Sequence, residues 1–485
     1  MLFDNSKSTV LKQRIGIIWF RQDLRLRDNI ALTDALKSCD QIIPIYIFDE
    51  RLYSGISKFG FKRIGVHRAK FIMESVADLR HSLRDLGTDL ILRTGKPEEI
   101  LFEFALKYKT SWIFCNRERT SEEVFVQDSL ESKLWSIGQE VRFSRGKMLF
   151  HTGDLPFPVT HTPDTYASFY REVGKIIPIR PVLPRPDFIP LYLANIESGE
   201  IPDLQELGFS GQEVDKAEFY FKGGESVGIQ KLDSFIENNL KSFIPNNNRE
   251  QMRNSHTTHL APYLSIGNIT ARQLYARLIK YNNHKKYKKR VKCLIHGLIR
   301  RDFYRLMTKK YTNQIFLKTG IRGAETYDLS NNLELFKVWS EAKTGMPMVD
   351  AFMRELNSTG YISPEGRFFV ASFLVEELKL NWQLGAEYFE SKLVDYDPSS
   401  NWVNWNHIGG VSLDSKEDRY CNIVTRARKI DPNGDFIREW VPELANIANS
   451  LVHEPYKLPK QELDKVKLQL GKDYPNPIVD TEKWI

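Results

Sequence analysis

The chain has 485 residues, 41% of them hydrophobic and 27% charged. That is enough for two or three ordinary cores, and it excludes a disordered chain. No apolar run approaches the roughly 18 residues that cross a bilayer. Met1 to Arg14 carries no apolar leader region, so a soluble, intracellular (cytoplasmic) protein is expected. A formal net charge of +7 permits a polyanionic partner without demanding one.

Ile15 to Phe20 and Ile42 to Phe48 are short, β-rich apolar runs, and Ala31 to Leu36 between them reads as helix. Asp89 to Leu92 and Ser111 to Phe114 repeat the strand signal. The helical stretches Phe71 to Leu86 and Glu99 to Tyr108 alternate with them. Buried strands spaced by helices predict a doubly wound parallel sheet, an α/β domain over residues 1–150. No GxGxxG follows any of these strands, so a nucleotide site here would be of another kind. Cys39, Cys115, Cys293 and Cys421 are scattered without a CxxC pair or histidines at ligand spacing. They predict buried small hydrophobes, with neither a disulfide framework nor a metal site.

Prolines punctuate residues 151–225, which predicts a long connector wrapped on its neighbours. From there to residue 485 the period is helical. Ile229, Leu232, Phe235, Ile236 and Leu240 mark one face, and Leu294, Leu298 and Leu306 mark another. A further helix starts with Ser363 as N-cap and Pro364 in its first turn, and runs through Phe369 to Leu378. An all-α domain over residues 226–485 is therefore expected.

Three stretches carry chemistry. In Trp19 to Asn29 alternating Arg and Asp can pair with one another, giving an ion-paired loop after the first strand. The run His284 to Lys292 is either a solvated helix face or a polyanion contact. Asp395 to Trp405 crowds two carboxylates (Asp395, Asp397), two amides (Asn401, Asn404) and two tryptophans (Trp402, Trp405) into one short segment. Such groups are costly to bury without partners. An isoalloxazine ring offers those partners: an N3 donor for a carboxylate, an N5 for an amide and a flat face for indole. The bland alternative is an acidic surface loop with aromatic plugs.

Trp19 to Asn29 is similar to the WFRxDLRxxDN signature of the cryptochrome/photolyase family. The DxD…N…W pattern of Asp395 to Trp405 resembles that family's flavin pocket. Asp154 to Phe157 and Gly223 to Glu225 are similar to stretches of its DASH branch. The resemblance spans nearly the whole chain and implies one FAD, held non-covalently in the helical domain. It implies that Asp397 takes the flavin N3–H, that Asp395 faces Arg367, that Asn401 lies by N5, and that Glu377 stands where the family usually has Asp. Thr257, Thr258 and Leu260 begin a segment resembling T-S-x-L-S-P-Y-L, which wraps the diphosphate; Ala261 replaces its last serine. Arg301 matches the flavin-side arginine.

Trp405 and Trp382 match the first two members of the tryptophan chain that reduces the flavin after photon absorption. The outer member aligns with Leu329, so the resemblance implies a short chain, or one rerouted through Tyr327, Trp339 or Trp402. Glu118 matches a contact to a folate antenna (methenyltetrahydrofolate). The substrate side departs from the pattern. Gly297 stands for the glutamate that hydrogen-bonds the lesion and Arg300 for the tryptophan that stacks on it. Pro364 and Glu365 stand for an Asn-Arg pair, Phe368 for glutamine, and His407 for a flanking aromatic. A flipped base would lose its stacking surface and meet the wrong sign of charge. The resemblance thus implies a photoreceptor or redox-signalling flavoprotein, with salt-sensitive, lesion-blind binding to single-stranded DNA. The alternatives are a photolyase acting on cyclobutane pyrimidine dimers in single-stranded DNA and a light-independent electron-transfer flavoprotein.

Overall fold

The computed structural model describes residues 13–174, 177–192, 195–243, 257–324, 328–413, 422–449 and 451–482. Tyr327 and Cys421 lie outside the described residues. Five strands, β1 (Ile15–Phe20), β2 (Gln41–Asp49), β3 (Ile91–Gly95), β4 (Trp112–Asn116) and β5 (Glu140–Ser144), form one sheet in the order β3-β2-β1-β4-β5. Every neighbouring pair is parallel. Helices Ile30–Ser38, Val66–Arg84, Pro97–Tyr108 and Ser121–Trp135 cover its faces. The central strands are apolar between their ends because both of their faces are buried. β5 escaped the sequence reading because Glu140, Val141, Arg142, Phe143 and Ser144 alternate charged and apolar groups, the composition of an edge strand. Cys39 and Cys115 are buried and Cys293 is half-buried.

The connector covers the opposite edge. The backbone N–H of Leu92 on β3 donates to the Ser198 carbonyl (2.6 Å), and that of Ile42 donates to Pro190 (2.9 Å). Phe169, Ile189, Leu207 and Phe221 anchor it in the core.

The Trp19 to Asn29 loop corrects one expectation, since its arginines and aspartates do not pair with one another through their side chains. Asp23 accepts from the backbone of Arg21 (2.7 Å) and from Asn116. Fully buried Arg25 donates to the carbonyls of Gly267 (2.8 Å) and Asp28 (3.0 Å). Asp28 is held by Arg272 (2.7 Å) and Thr270 (2.6 Å). Glu225 accepts from the backbones of Leu26 and Arg27 at 2.7 and 3.0 Å. The loop leaves β1 where the strand order reverses, and it clamps the sheet to the helices. Leaving any of these polar groups buried and alone would cost several kcal/mol.

In the helical part, Ser363 caps Pro364–Ser372 by accepting from the Gly366 N–H (3.1 Å), as its sequence predicts. The regular helix stops earlier than expected. Phe373–Glu377 is a π turn, as is Phe235–Asn239 after Glu225–Ser234. One extra residue per turn rotates the apolar face, a shift that periodicity cannot reveal. Lys288–Tyr311 carries the Leu298 and Leu306 face inward. Lys285, Lys286, Lys288, Lys289 and Lys292 are exposed around its first turns.

Candidate functional site

Two antiparallel helices, Trp382–Lys392 and Pro398–Ile408, carry the centre of the site. Glycine at two positions lets them approach. A Cβ on Gly385 would collide with the Trp405 ring, and one on Gly409 would collide with Trp382. Each indole therefore lies on the backbone of the opposite helix, and both are buried. Phe389 holds Trp405 edge-on at 5.2 Å between ring centroids. Asn401, one turn before Trp405, donates from its amide to the Ala386 carbonyl (3.0 Å) and so bolts the same pair together.

Asp397 ends the loop between these helices and is the N-cap of the second, accepting from the Ser400 N–H at 2.8 Å. Its other oxygen meets Arg305 at 2.5 Å. Burial pushes the Asp397 carboxyl up, but Arg305 and then Arg301 more than offset this and bring it down to about 2. Asp395 faces Arg367, as expected, with both oxygens within 2.8 Å of one guanidinium nitrogen. Arg367 lies 5.5 Å from the Tyr361 ring centre, and the Tyr361 hydroxyl meets the Thr257 hydroxyl at 2.9 Å. A chain of contacts thus runs from Asp395 to the Thr257 segment. Arg301 ties that segment down by donating to the carbonyls of Leu264 (2.9 Å) and Lys147 (2.8 Å).

The Thr257 segment has the form of a cradle. The hydroxyl oxygens of Thr257 and Thr258 accept from the N–H groups of His259 (3.2 Å) and Leu260 (3.3 Å), which turns the chain sharply. His259 is left in the left-handed region at φ 51°. Its Nδ1 is buried without a hydrogen-bond partner. An orphaned polar atom in a strained loop, beside two hydroxyls that the turn holds in place, suits a phosphate-bearing ligand. Together with the acid–arginine pairs and the buried indoles, the residues present fit a flavin dinucleotide.

Residues 16–187 match a family model described as DNA photolyase, and residues 294–484 match one described as the FAD binding domain of DNA photolyase. A cryptochrome DASH of Gloeobacter violaceus is 38% identical, over 96% of this chain and 93% of that protein. A cryptochrome DASH of Xenopus laevis is 36% identical, over 97% of this chain and 91% of that protein. The chain belongs to the cryptochrome/photolyase family, in its DASH branch. Among solved structures, a Synechocystis cryptochrome superposes with a TM-score of 0.90 at 33% identity, covering 97% of each chain. A class III photolyase from Agrobacterium tumefaciens gives 0.85 at 27% identity, over 99% of this chain and 97% of that one. As a member of this branch the chain is an FAD-binding protein. No described helix is long and apolar enough to cross a membrane.

The residues singled out on the substrate side fall into two groups. Exposed Arg300 places its guanidinium 4.7 Å from the centre of the Tyr166 ring. One turn of helix away, Gly297 has open space around the position of a Cβ. Glu365, just after exposed Pro364, is held by Arg426 at 2.7 Å, and Arg426 lies 4.6 Å over Phe368. This corrects the charge expected at the rim. The acid at Glu365 is neutralised, and a guanidinium stands beside it after all. His407 is half-buried in the last turn of Pro398–Ile408.

Sequence reasoning missed Arg305 and Arg426. Arg305 lies one helical turn past Arg301 and therefore on the same face, a spacing that was there to be read. Nothing near Arg426 pointed to Glu365, 61 residues away. Glu118 is buried and pairs with Lys147 (2.6 Å) and Arg305 (3.5 Å). Beside it lies a small cleft whose lining includes Arg117, Arg119, Arg145, Lys147 and Arg305. The Glu118 carboxylate is thus engaged by two cations of the chain at the edge of this cleft.

Proposed function

We propose that the protein is a light-driven redox flavoprotein that signals through the state of its FAD and does not repair DNA. Thr257, Thr258, Leu260, Arg301, Arg367, Asp395, Asp397 and Asn401 would hold the cofactor. FAD supplies absorption of blue light and an excited state that accepts an electron. The chain supplies the donors. Trp405 and Trp382, packed through Gly385 and Gly409, are buried indoles on facing helices. Asp397, ionised above pH about 2, fixes a negative charge at the pocket, and the Asn401 amide is immobilised by Ala386.

The observation that carries the reading is the rim. Where the family stacks a base on tryptophan, this chain has Arg300 turned onto Tyr166, and where an acid would grip the base it has Gly297. Blue light with an external reductant should reduce the bound flavin in the parent, and Trp405→Phe should abolish most of that reduction. Photoreduction of the variant at the parent rate would show that the route does not run through Trp405.

One observation favours the second reading, a photolyase acting on single-stranded DNA. Arg426 cancels the repulsive charge of Glu365 at the rim, and the exposed Lys285, Lys286, Lys288, Lys289 and Lys292 give a polyanion a foothold. A repair assay with fully reduced flavin decides between them. No turnover is expected on dimer-containing oligonucleotides, single-stranded or duplex, and several turnovers per protein would establish the photolyase. The triple variant Gly297→Glu, Arg300→Trp, Glu365→Arg should gain lesion binding more than any single change, because the resemblance assigns all three positions to the contacts of one lesion.

A further inference from the structure

The oxidising equivalent left by flavin photoreduction needs a resting place. The position where the family has its outer tryptophan is Leu329, which is buried and aliphatic and cannot be oxidised. Trp339 lies fully buried with its N–H bonded to the Val370 carbonyl (3.1 Å). Its ring neighbours are Phe336 and Tyr388, and the Tyr388 hydroxyl bonds Asn357 and the Ser340 carbonyl, so among the described residues it donates to no carboxylate.

Trp402 differs on both counts. Its ring centre is 5.9 Å from that of Trp382. Its Nε1–H donates to the Tyr396 hydroxyl at 3.2 Å, and that hydroxyl donates to Glu390 Oε2 at 2.8 Å. The other Glu390 oxygen accepts from Arg63 at 2.8 Å, so Oε2 is left to face the phenol. Because Trp402 occupies the phenol oxygen as a donor, the phenolic proton has one direction to go. We infer that Trp402 relays the oxidising equivalent from Trp382 to Tyr396, and that Glu390 accepts the phenolic proton as Tyr396 is oxidised; this rests on the reading that Trp405 and Trp382 reduce the flavin.

With photoexcited oxidised FAD as the oxidant, Trp405 would lose one electron, Trp382 would refill Trp405 and Trp402 would refill Trp382, which leaves Trp402 one electron short. Tyr396 returns that electron to Trp402, and its proton crosses from the phenol oxygen to Glu390 Oε2. The products are a neutral tyrosyl radical and a neutral carboxylic acid. An oxidised phenol is a strong acid, so a proton acceptor at hydrogen-bond distance is what lets tyrosine act as donor. The Arg68 guanidinium, 4.6 Å over the Tyr396 ring, works against a cationic ring and so ties electron loss to proton loss. Tyr396 and Glu390 are thus electron donor and proton acceptor, while Arg63 and Arg68 are positioning residues.

The test uses the full chain loaded with FAD, illuminated and followed by electron paramagnetic resonance and transient absorption. Ring-deuterated tyrosine in the unmutated chain should narrow the trapped radical signal; an unchanged signal places the radical on tryptophan and overturns the proposal. Tyr396→Phe should replace the tyrosyl signature by a tryptophanyl one. It should also shorten the radical's lifetime by about tenfold, well inside what a positioned proton acceptor contributes. Glu390→Gln, which keeps the phenol and the packing, should do the same, and it decides the matter if Tyr396→Phe does not fold. Tyrosyl signal and lifetime unchanged in Glu390→Gln would sink the relay. Trp405→Phe separates the two readings. Loss of every radical in that variant with an intact signal in Glu390→Gln condemns the Tyr396 relay alone, whereas a parental signal in Trp405→Phe condemns the Trp405 route beneath it.

Discussion

The flavin side and the substrate rim of the helical domain use the same chemistry at different depths. On the flavin side, Asp395 with Arg367 and Asp397 with Arg305 are carboxylate–guanidinium pairs whose acids are buried. At the rim, Glu365 with Arg426 is such a pair near water, and Arg300 rests on an aromatic ring. Burial makes the first set interdependent, because either partner left alone is an uncompensated charge in a poor solvent. Water screens the second set and lets it change with little cost. The pocket proposed for the cofactor is thus constrained, while the surface that would meet a lesion is free to diverge.

Asp397→Ala should break this contrast hardest. It removes the nearer of the two acids around Arg305 and leaves Glu118 at 3.5 Å, at a cost of up to roughly 3 kcal/mol of stability. It also removes a charge-assisted hydrogen bond worth about 1.5 to 3 kcal/mol of flavin affinity. Denaturant unfolding and the flavin retained on purification measure the two; full flavin content with parental stability would refute the assignment. The same carboxyl predicts the acid limb. Its folded value of about 2 lies below the reference 3.8, so its contribution is whole above pH 3.8 and is lost as pH falls through 2.

Glu355 sharpens the comparison from the other direction, as a half-buried acid near Arg367 with one buried oxygen lacking a hydrogen-bond partner. Burial, then the nearby Glu439, raises it from 4.5 to about 8. The folded chain therefore holds a proton that the unfolded chain has released, and stability falls as pH rises from 4.5 through 8. Glu355→Gln should flatten that fall and be the more stable protein above pH 8. The gain should be on the order of 1 to 3 kcal/mol, discounted for the water that reaches a half-buried side chain. Thermal unfolding across pH would expose the error if the two proteins ran parallel.

Glu365→Arg should have the smallest effect on stability, within about 1 kcal/mol, because the pair it breaks is near the surface. Its consequence should be seen in binding. Single-stranded oligonucleotides should bind more tightly, with a salt slope steeper by about 1. An unchanged slope would remove this rim from any nucleic-acid path.

The doubly wound sheet and the helical second half are legible in the residues because strand and helix periods depend on local burial alone. Asp395, Asp397, Asn401, Trp382 and Trp405 are legible as a motif, since short spacing keeps them in one hairpin of helices. What the folded chain alone decides are partnerships between residues far apart in the chain. Asp28 reaches Arg272, Glu118 and Asp397 share Arg305, Glu365 finds Arg426, and Trp402 stands between Trp382 and Tyr396. A charged or aromatic residue announces that it needs a partner when buried, but many in the chain could serve. Which one does is settled by packing, through the π turns that rotate helix faces and the glycines that let two helices touch.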